Sequence, residues 1–169
     1  MTLIFGLAAC SGSDEPSPLD EPSASATASP TPDQAAADQA AVVDLAGRYW
    51  AAVVQSENTG NDDPVQFADV AESTVIESQL AQVADYKALG LLRVGEPAIT
   101  EIEASVTGDT AQILLCKNED GWTAEVEGQA VEGEEKFGNG PWGATAQKTD
   151  GRWLVSKIVT VDEGAKTCP

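Results

Sequence analysis

The residue types behind most enzyme chemistry are sparse in this chain. Histidine is absent from all 169 residues, so no imidazole can act as base, nucleophile's partner or metal ligand. Serine, lysine and cysteine occur without a nucleophile elbow, a phosphate-binding loop or a Cys-x-x-Cys pair. Nucleophilic catalysis therefore has no motif to rest on. What remains are three cysteines, two tyrosines, four tryptophans and many carboxylates.

Cys10 follows Leu7-Ala8-Ala9, one large aliphatic residue and two small ones that a signal peptidase can grip in extended form. This is the pattern of a bacterial lipobox, in which the thiol takes a diacylglyceryl group and becomes the mature N-terminus. Residues 1–9 then read as a truncated signal-peptide remnant. Met1–Gly6 carries no Lys or Arg and is short beside the roughly 7–15 apolar residues of a secretory signal, so the missing part is expected upstream of a late start codon. The competing reading is a frayed apolar terminus with an ordinary thiol; the polar tether that follows Cys10 favours lipidation. Cys116 and Cys168 are then left as a pair, and export would place them where disulfides persist. A bridge between them closes a loop of about 50 residues and stabilises by roughly 4 kcal/mol in the chain-entropy account, before strain. Two reduced buried thiols are the alternative.

Glu119, Asp120, Glu125, Glu127, Glu132, Glu134 and Glu135 could offer oxygens to calcium, but their spacing is not that of an EF-hand loop. Strand alternation would spread them over a solvated face, so neither metal nor cofactor is expected. The stretch Asn58–Asp63 is treated alike, because helix capping accounts for Asp63. Trp50 and Trp153 sit on apolar faces and read as core. Trp142 lies among Gly138, Gly140 and Gly143 beside Pro141, where a pocket rim or partner surface competes evenly with plain packing. With Tyr49 and Tyr86 it makes a weak set of ligand or partner candidates.

The formal charge of −19, from 28 acids against 9 bases, repels a phosphate backbone and excludes nucleic acid as a partner. An anionic leaflet is repelled too, so membrane attachment has to come from acyl chains on Cys10. No run of 18 apolar residues offers a transmembrane span. Localisation at the cell membrane, lipid-anchored on its extracytoplasmic face, is the expectation.

These residues need a scaffold. Residues 10–35 hold the lipidated Cys10 and a Pro-, Ser-, Ala- and acid-rich tether that cannot bury enough apolar surface to order itself. With flexible-coil scaling it reaches on the order of 30 Å, so the domain sits close to the membrane. Residues 36–169 read as a single α+β domain. A first helix runs from Gln34 with Asp33 as N-cap, placing Val42, Leu45, Tyr49 and Val53 on one face; Ser56–Asp62 reads as a polar loop. Asp63-Pro64 with Gln66 opens a second helix through a capping box. A third begins at Ser73, with Ile76, Leu80 and Val83 inward and Tyr86 or Leu89 continuing that face.

After Gly95-Glu96-Pro97 the period becomes two. Ile102, Ala104 and Val106 lead to a turn at Gly108-Asp109 and a return strand through Ala111, Ile113 and Leu115, with Cys116 on the opposite face. Trp122–Val131 reads as a weaker hairpin turning near Gly128, and Gly133–Gly143 as loop. Thr145–Lys148 is a strand, and after Asp150-Gly151 the residues Trp153, Val155, Val159 and Val161 line one face of the last strand. The count is three helices, then five or six antiparallel strands.

Helices before a long antiparallel sheet, with Asp150-Gly151-Arg152-Trp153-Leu154-Val155 at its end, resemble the nuclear transport factor 2-like superfamily. The run Tyr86-Lys87-Ala88-Leu89-Gly90 through Gly95-Glu96-Pro97-Ala98-Ile99 is similar to actinobacterial lipoproteins of that type. The resemblance implies N-terminal helices packed in the concave face of a strongly curved antiparallel sheet, a cystatin-like cone with an apolar pocket open at one end. It also implies several functional classes: isomerases and dehydratases, small-ligand binders and noncatalytic accessory domains. Sheet faces in the superfamily often pair, so a homodimer is among the expectations. No catalytic residue carries over. The reading favoured is a noncatalytic, membrane-anchored lipoprotein that binds a protein partner or a small apolar ligand. An isomerase- or dehydratase-like enzyme using Tyr with Asp, and a purely structural envelope domain, are the alternatives.

Overall fold

In a computed structural model of the chain, residues 31–133, 138–162 and 166–169 are described. The lipobox with Cys10, most of the tether, and Glu134 and Glu135 of the acidic segment lie outside them. Helix α1 spans Pro32–Thr59, 28 residues. Thr31 rather than Asp33 caps it, accepting from the Gln34 N–H at 3.3 Å, and Pro32 occupies the first turn where its missing donor costs nothing. The helix also continues through Ser56–Thr59, which the sequence assigned to a loop. It stops at Gly60, whose φ of 64° takes the left-handed turn that ends helices, with its N–H on the Ser56 carbonyl.

The expected second helix is one 3₁₀ turn, Pro64–Phe67. Asp63 does cap it, accepting from the Val65 N–H at 2.9 Å. Gln66, however, reaches the Asn61 carbonyl at 2.8 Å instead of closing a capping box. The chain cannot stay helical because Val70 and Glu72 hydrogen-bond in extended form to Val155 of the last strand. Helix α2 then runs Ser73–Ala88 with Val75 and Val83 buried. Leu89, assigned to its core face, is 69% exposed, because α2 has ended before it.

Among the described residues seven strands follow: β1 Leu91–Gly95, β2 Ala98–Thr107, β3 Thr110–Asn118, β4 Trp122–Val126, β5 Gln129–Ala130, β6 Asn139–Thr149 and β7 Arg152–Val159. They form two antiparallel sheets, ordered β2-β3-β6-β7 and β1-β4-β5, in place of one continuous sheet. The α+β architecture is as the sequence implies: two helices packed against antiparallel sheets. β1 was not expected. Its exposed Leu92 and Val94 alternate with the half-buried Leu91 and Arg93, and a five-residue amphipathic run straight after a helix is a weak signal.

A bulge between Thr100 and Glu103, with Glu101 at φ 50°, lets both Ile99 and Ile102 face inward. β6 begins at Asn139, where Gly133–Gly143 reads as loop from sequence. Pro141 is tolerated because it pairs only with Cys116 of β3; β7 does not reach past Gly143. A second irregularity, between Thr145 and Ala146, pairs Ala146 with Val155 but Ala144 with Ile158. The extra residue moves Val159 off the face shared by Trp153 and Val155, contrary to strict alternation. The core joins Val42, Leu45, Tyr49 and Val53 of α1 to Ile113, Leu115 and Val155 of the sheet.

The chain's end returns across the outside of the larger sheet. A Cβ on Gly143 would lie 2.7 Å from Val161 Cγ2, so only glycine lets that segment approach. Lys166 reaches Glu103 at 2.7 Å and Glu101 at 3.5 Å, and Cys168 forms a disulfide with Cys116, Cα atoms 5.6 Å apart. Cys116 lies, as its place in β3 requires, on the face opposite Ala111 and Ile113.

Candidate functional site

Between the C-terminal half of α1, α2 and the strands lies a cavity of about 450 Å³. Its apolar wall combines aromatic rings with Val53, Val75 and Ile158. Tyr49 and Trp50 come from α1, Trp122 from the start of β4 and Trp142 from β6. Trp142 stacks on Tyr49 with ring centroids 5.7 Å apart and meets Trp50 edge-on at 5.4 Å; Trp50 and Trp122 are also edge-on, at 6.4 Å. Each ring thereby fixes its neighbour's tilt.

The polar side centres on Glu57. In the last turn of α1, it is only 3% exposed although it carries a carboxyl group. Its Oε1 accepts from Gln79 Nε2 at 2.7 Å and Gln82 Nε2 at 3.3 Å, both from α2, while Oε2 is buried without a hydrogen bond. Burial raises its pKa above the ordinary 4.5, and nearby Glu119 raises it further; the Gln79 hydrogen bond, Arg93 and Lys117 pull the other way. Burial also pushes the Tyr49 hydroxyl up to about 12, and the Glu57 charge adds to that. Lys117 is held by Glu119 at 2.8 Å and lies 5.1 Å from the centre of the Trp50 ring. Lys117 and Glu119 also line a second recess of about 370 Å³ beside Gly140 and Pro141. Chemically, this is a pocket with flat aromatic faces, one carboxyl inclined to hold its proton, and carboxamides around it.

Of the residues singled out from sequence, Tyr49 and Trp142 meet in this cavity. Trp142 is both packed and pocket-lining, which joins the two readings it carried. Tyr86 stands apart: its hydroxyl accepts from Gln82 Nε2 at 2.8 Å, one side chain removed from the cavity wall. Asn58 secures the rim, accepting from Trp122 Nε1 at 2.8 Å and donating to the Gly95 carbonyl at 2.7 Å. Glu57 escaped sequence reasoning because Ser56–Asp62 looked like a solvated loop. Its position one helical repeat beyond Tyr49, Trp50 and Val53 was the available signal. Among the described residues no three potential metal ligands converge.

No family profile and no curated protein matches this chain in sequence. Solved structures do match in shape. The intermembrane-space region of the chloroplast protein ARC6 shares 10% identity at a TM-score of 0.51, over 73% of this chain and 98% of that one. The Kfla4162 protein from Kribbella flavida shares 17% at 0.50, over 78% and 96%. An NTF2-like protein with a cystatin-like fold from Novosphingobium aromaticivorans shares 13% at 0.42, over 75% and 84%. For the first two, at these identities, the likeness is one of fold.

Proposed function

We propose that this chain is an extracytoplasmic lipoprotein, anchored to the cell membrane through acyl chains on Cys10, whose domain binds a small ligand in the aromatic cavity. The anchor rests on the lipobox and the tether. The observation that carries the binding role is the cavity itself, about 450 Å³ walled by three tryptophans and a tyrosine. Its size suits a small molecule better than a protein segment. Glu57, Gln79 and Gln82 make it more polar than the apolar pocket expected from sequence.

A second reading, proton-transfer catalysis of the isomerase or dehydratase kind, is favoured by one observation. Glu57 is a buried carboxyl with a raised pKa in a pocket, as a general acid or base requires, where the sequence offered Tyr with an Asp but placed no such Asp. Tyr49 lines the same cavity with its proton firmly held.

Intact mass spectrometry of the chain, produced behind a complete lipoprotein signal sequence and purified from a host envelope, tests the proposal. Under denaturing conditions the mass should include a diacylglyceryl group, lost in C10S. Under native conditions a noncovalent small molecule should add to it. An unacylated Cys10 would refute the anchor. A native mass without adduct, unchanged across small-molecule pools, would refute the binding role.

A further inference from the structure

Lys117 and Glu119 form an ion pair of 2.8 Å in the wall of the cavity, and the same two residues line the neighbouring recess. Lys117 points inward. It lies two residues beyond Leu115 on β3, on the face that carries Ile113 and Leu115 into the core, and its ammonium stands 5.1 Å from the centre of the Trp50 ring. Glu119 follows the end of β3 in a turn held by the backbone. Its carbonyl accepts from the Trp122 N–H at 2.9 Å, and Asn118 Oδ1 accepts from the Asp120 N–H at 2.8 Å. The two side chains are 24% and 17% exposed, so both charges are largely withdrawn from bulk water yet open to whatever fills the space. Desolvation offsets most of the attraction within a pair so placed, and folding alone does not account for it.

From this pair we infer that the cavity takes a free α-amino acid with a large apolar side chain, aliphatic or aromatic. This rests on the binding role proposed above. The ammonium and carboxylate of such a molecule sit on one carbon, a separation that matches two protein charges in direct contact. Laid antiparallel to the pair, the ligand sets its carboxylate against Lys117 and its ammonium against Glu119. Four charges then alternate, and the protein's own contact stays intact. The ligand's side chain lies among Val53, Val75, Trp122 and Trp142. Glu57, in the same wall, is inclined toward its neutral acid and so sets little like charge against the ligand's carboxylate.

Other chemistries fit less well. A simple anion must compete with Glu119 for Lys117, inside a chain of net charge −19, and a simple cation must compete with Lys117 for Glu119. Either one brings a single charge into the cavity with no counter-charge of its own. An uncharged apolar ligand would remove the pair further from water and give it nothing in return.

The test is calorimetric titration of the purified full chain with L-phenylalanine and L-leucine. Each is compared with the amine that lacks its carboxylate, phenethylamine or isopentylamine, and with the acid that lacks its ammonium, 3-phenylpropionate or 4-methylpentanoate. At least one amino acid should bind, and its two analogues should bind about tenfold or more weakly. K117Q and E119Q, with folds checked by near-UV circular dichroism, should each weaken the amino acid about tenfold. An analogue that binds as well as its amino acid would overturn the ligand class. Amino-acid binding that both variants leave unchanged would overturn the assignment to this pair. Should neither amino acid bind, the inference falls; the binding role stands if the native mass still carries a small-molecule adduct and falls with it if none is found.

Discussion

Glu57 is the residue at which burial and charge pull in different directions. A carboxyl whose folded pKa is raised adds no penalty below the unfolded value, because both states are protonated there. As pH rises from the ordinary 4.5 through the raised folded value, the unfolded chain ionises first and stability falls. Replacing the carboxyl by a carboxamide removes that loss. E57Q should therefore raise the melting temperature at pH 7 and flatten its decline above pH 4.5, with little effect at pH 3.5. Thermal melts across pH 3.5–8 check this, and a variant less stable than wild type at neutral pH would contradict it. Asp38 behaves oppositely: the Lys148 ammonium at 2.6 Å lowers its pKa, so its contribution is lost only as pH falls through the depressed value.

At the scale of elements, the rim of the cavity depends on how tightly β1 turns toward β2. Gly95 has φ 88°, and a Cβ there would lie 2.1 Å from the Gly121 carbonyl oxygen. Any side chain must push β1 away from the turn before β4 and so disturb Trp122, whose indole Asn58 holds. G95A should cost about 2 kcal/mol or more, combining left-handed strain with the backbone clash. Urea unfolding measures the loss, and Trp122 fluorescence should change with it; a variant as stable as wild type would mean the turn relaxes freely. The bulge on β2 and the irregularity in the β6–β7 pairing act at the same scale. Each re-aims residues that simple alternation would send to the other face.

At the scale of the whole molecule, the C-terminal segment straps the outer face of the larger sheet. Cys168 is fastened to Cys116, and Lys166, whose side chain is 5% exposed, to Glu101 and Glu103. The bridge spans 52 residues, for which the chain-entropy account predicts a loss of about 4 kcal/mol on removal. The C116A/C168A double variant should lose most of that in urea unfolding and become sensitive to proteolysis after residue 160. An unaltered digestion pattern would show that the remaining contacts hold the strap unaided. The strap covers part of the sheet face through which a homodimer was anticipated, so pairing through that patch would require it to move.

By itself, the sequence determined what depends on local periodicity and composition. The apolar stripe of α1, the start of α2 at Ser73, the β2–β3 and β6–β7 hairpins and the α+β order all follow from spacing and turn residues close in the chain. The pairing of Cys116 with Cys168, which the structure contains, was reached from the cysteine count on the expectation that Cys10 is acylated and the chain exported. Tertiary structure decided the rest. The 3₁₀ turn replaced a helix because β7 competes for the backbone of Val70 and Glu72, and β6 reached back to Asn139 because β3 supplies partners to residues with poor strand propensity. Glu57 became a buried pocket carboxyl only when α2 closed over it, since its desolvation and its two carboxamide partners come from residues more than 20 positions away. No local pattern encodes such a contact.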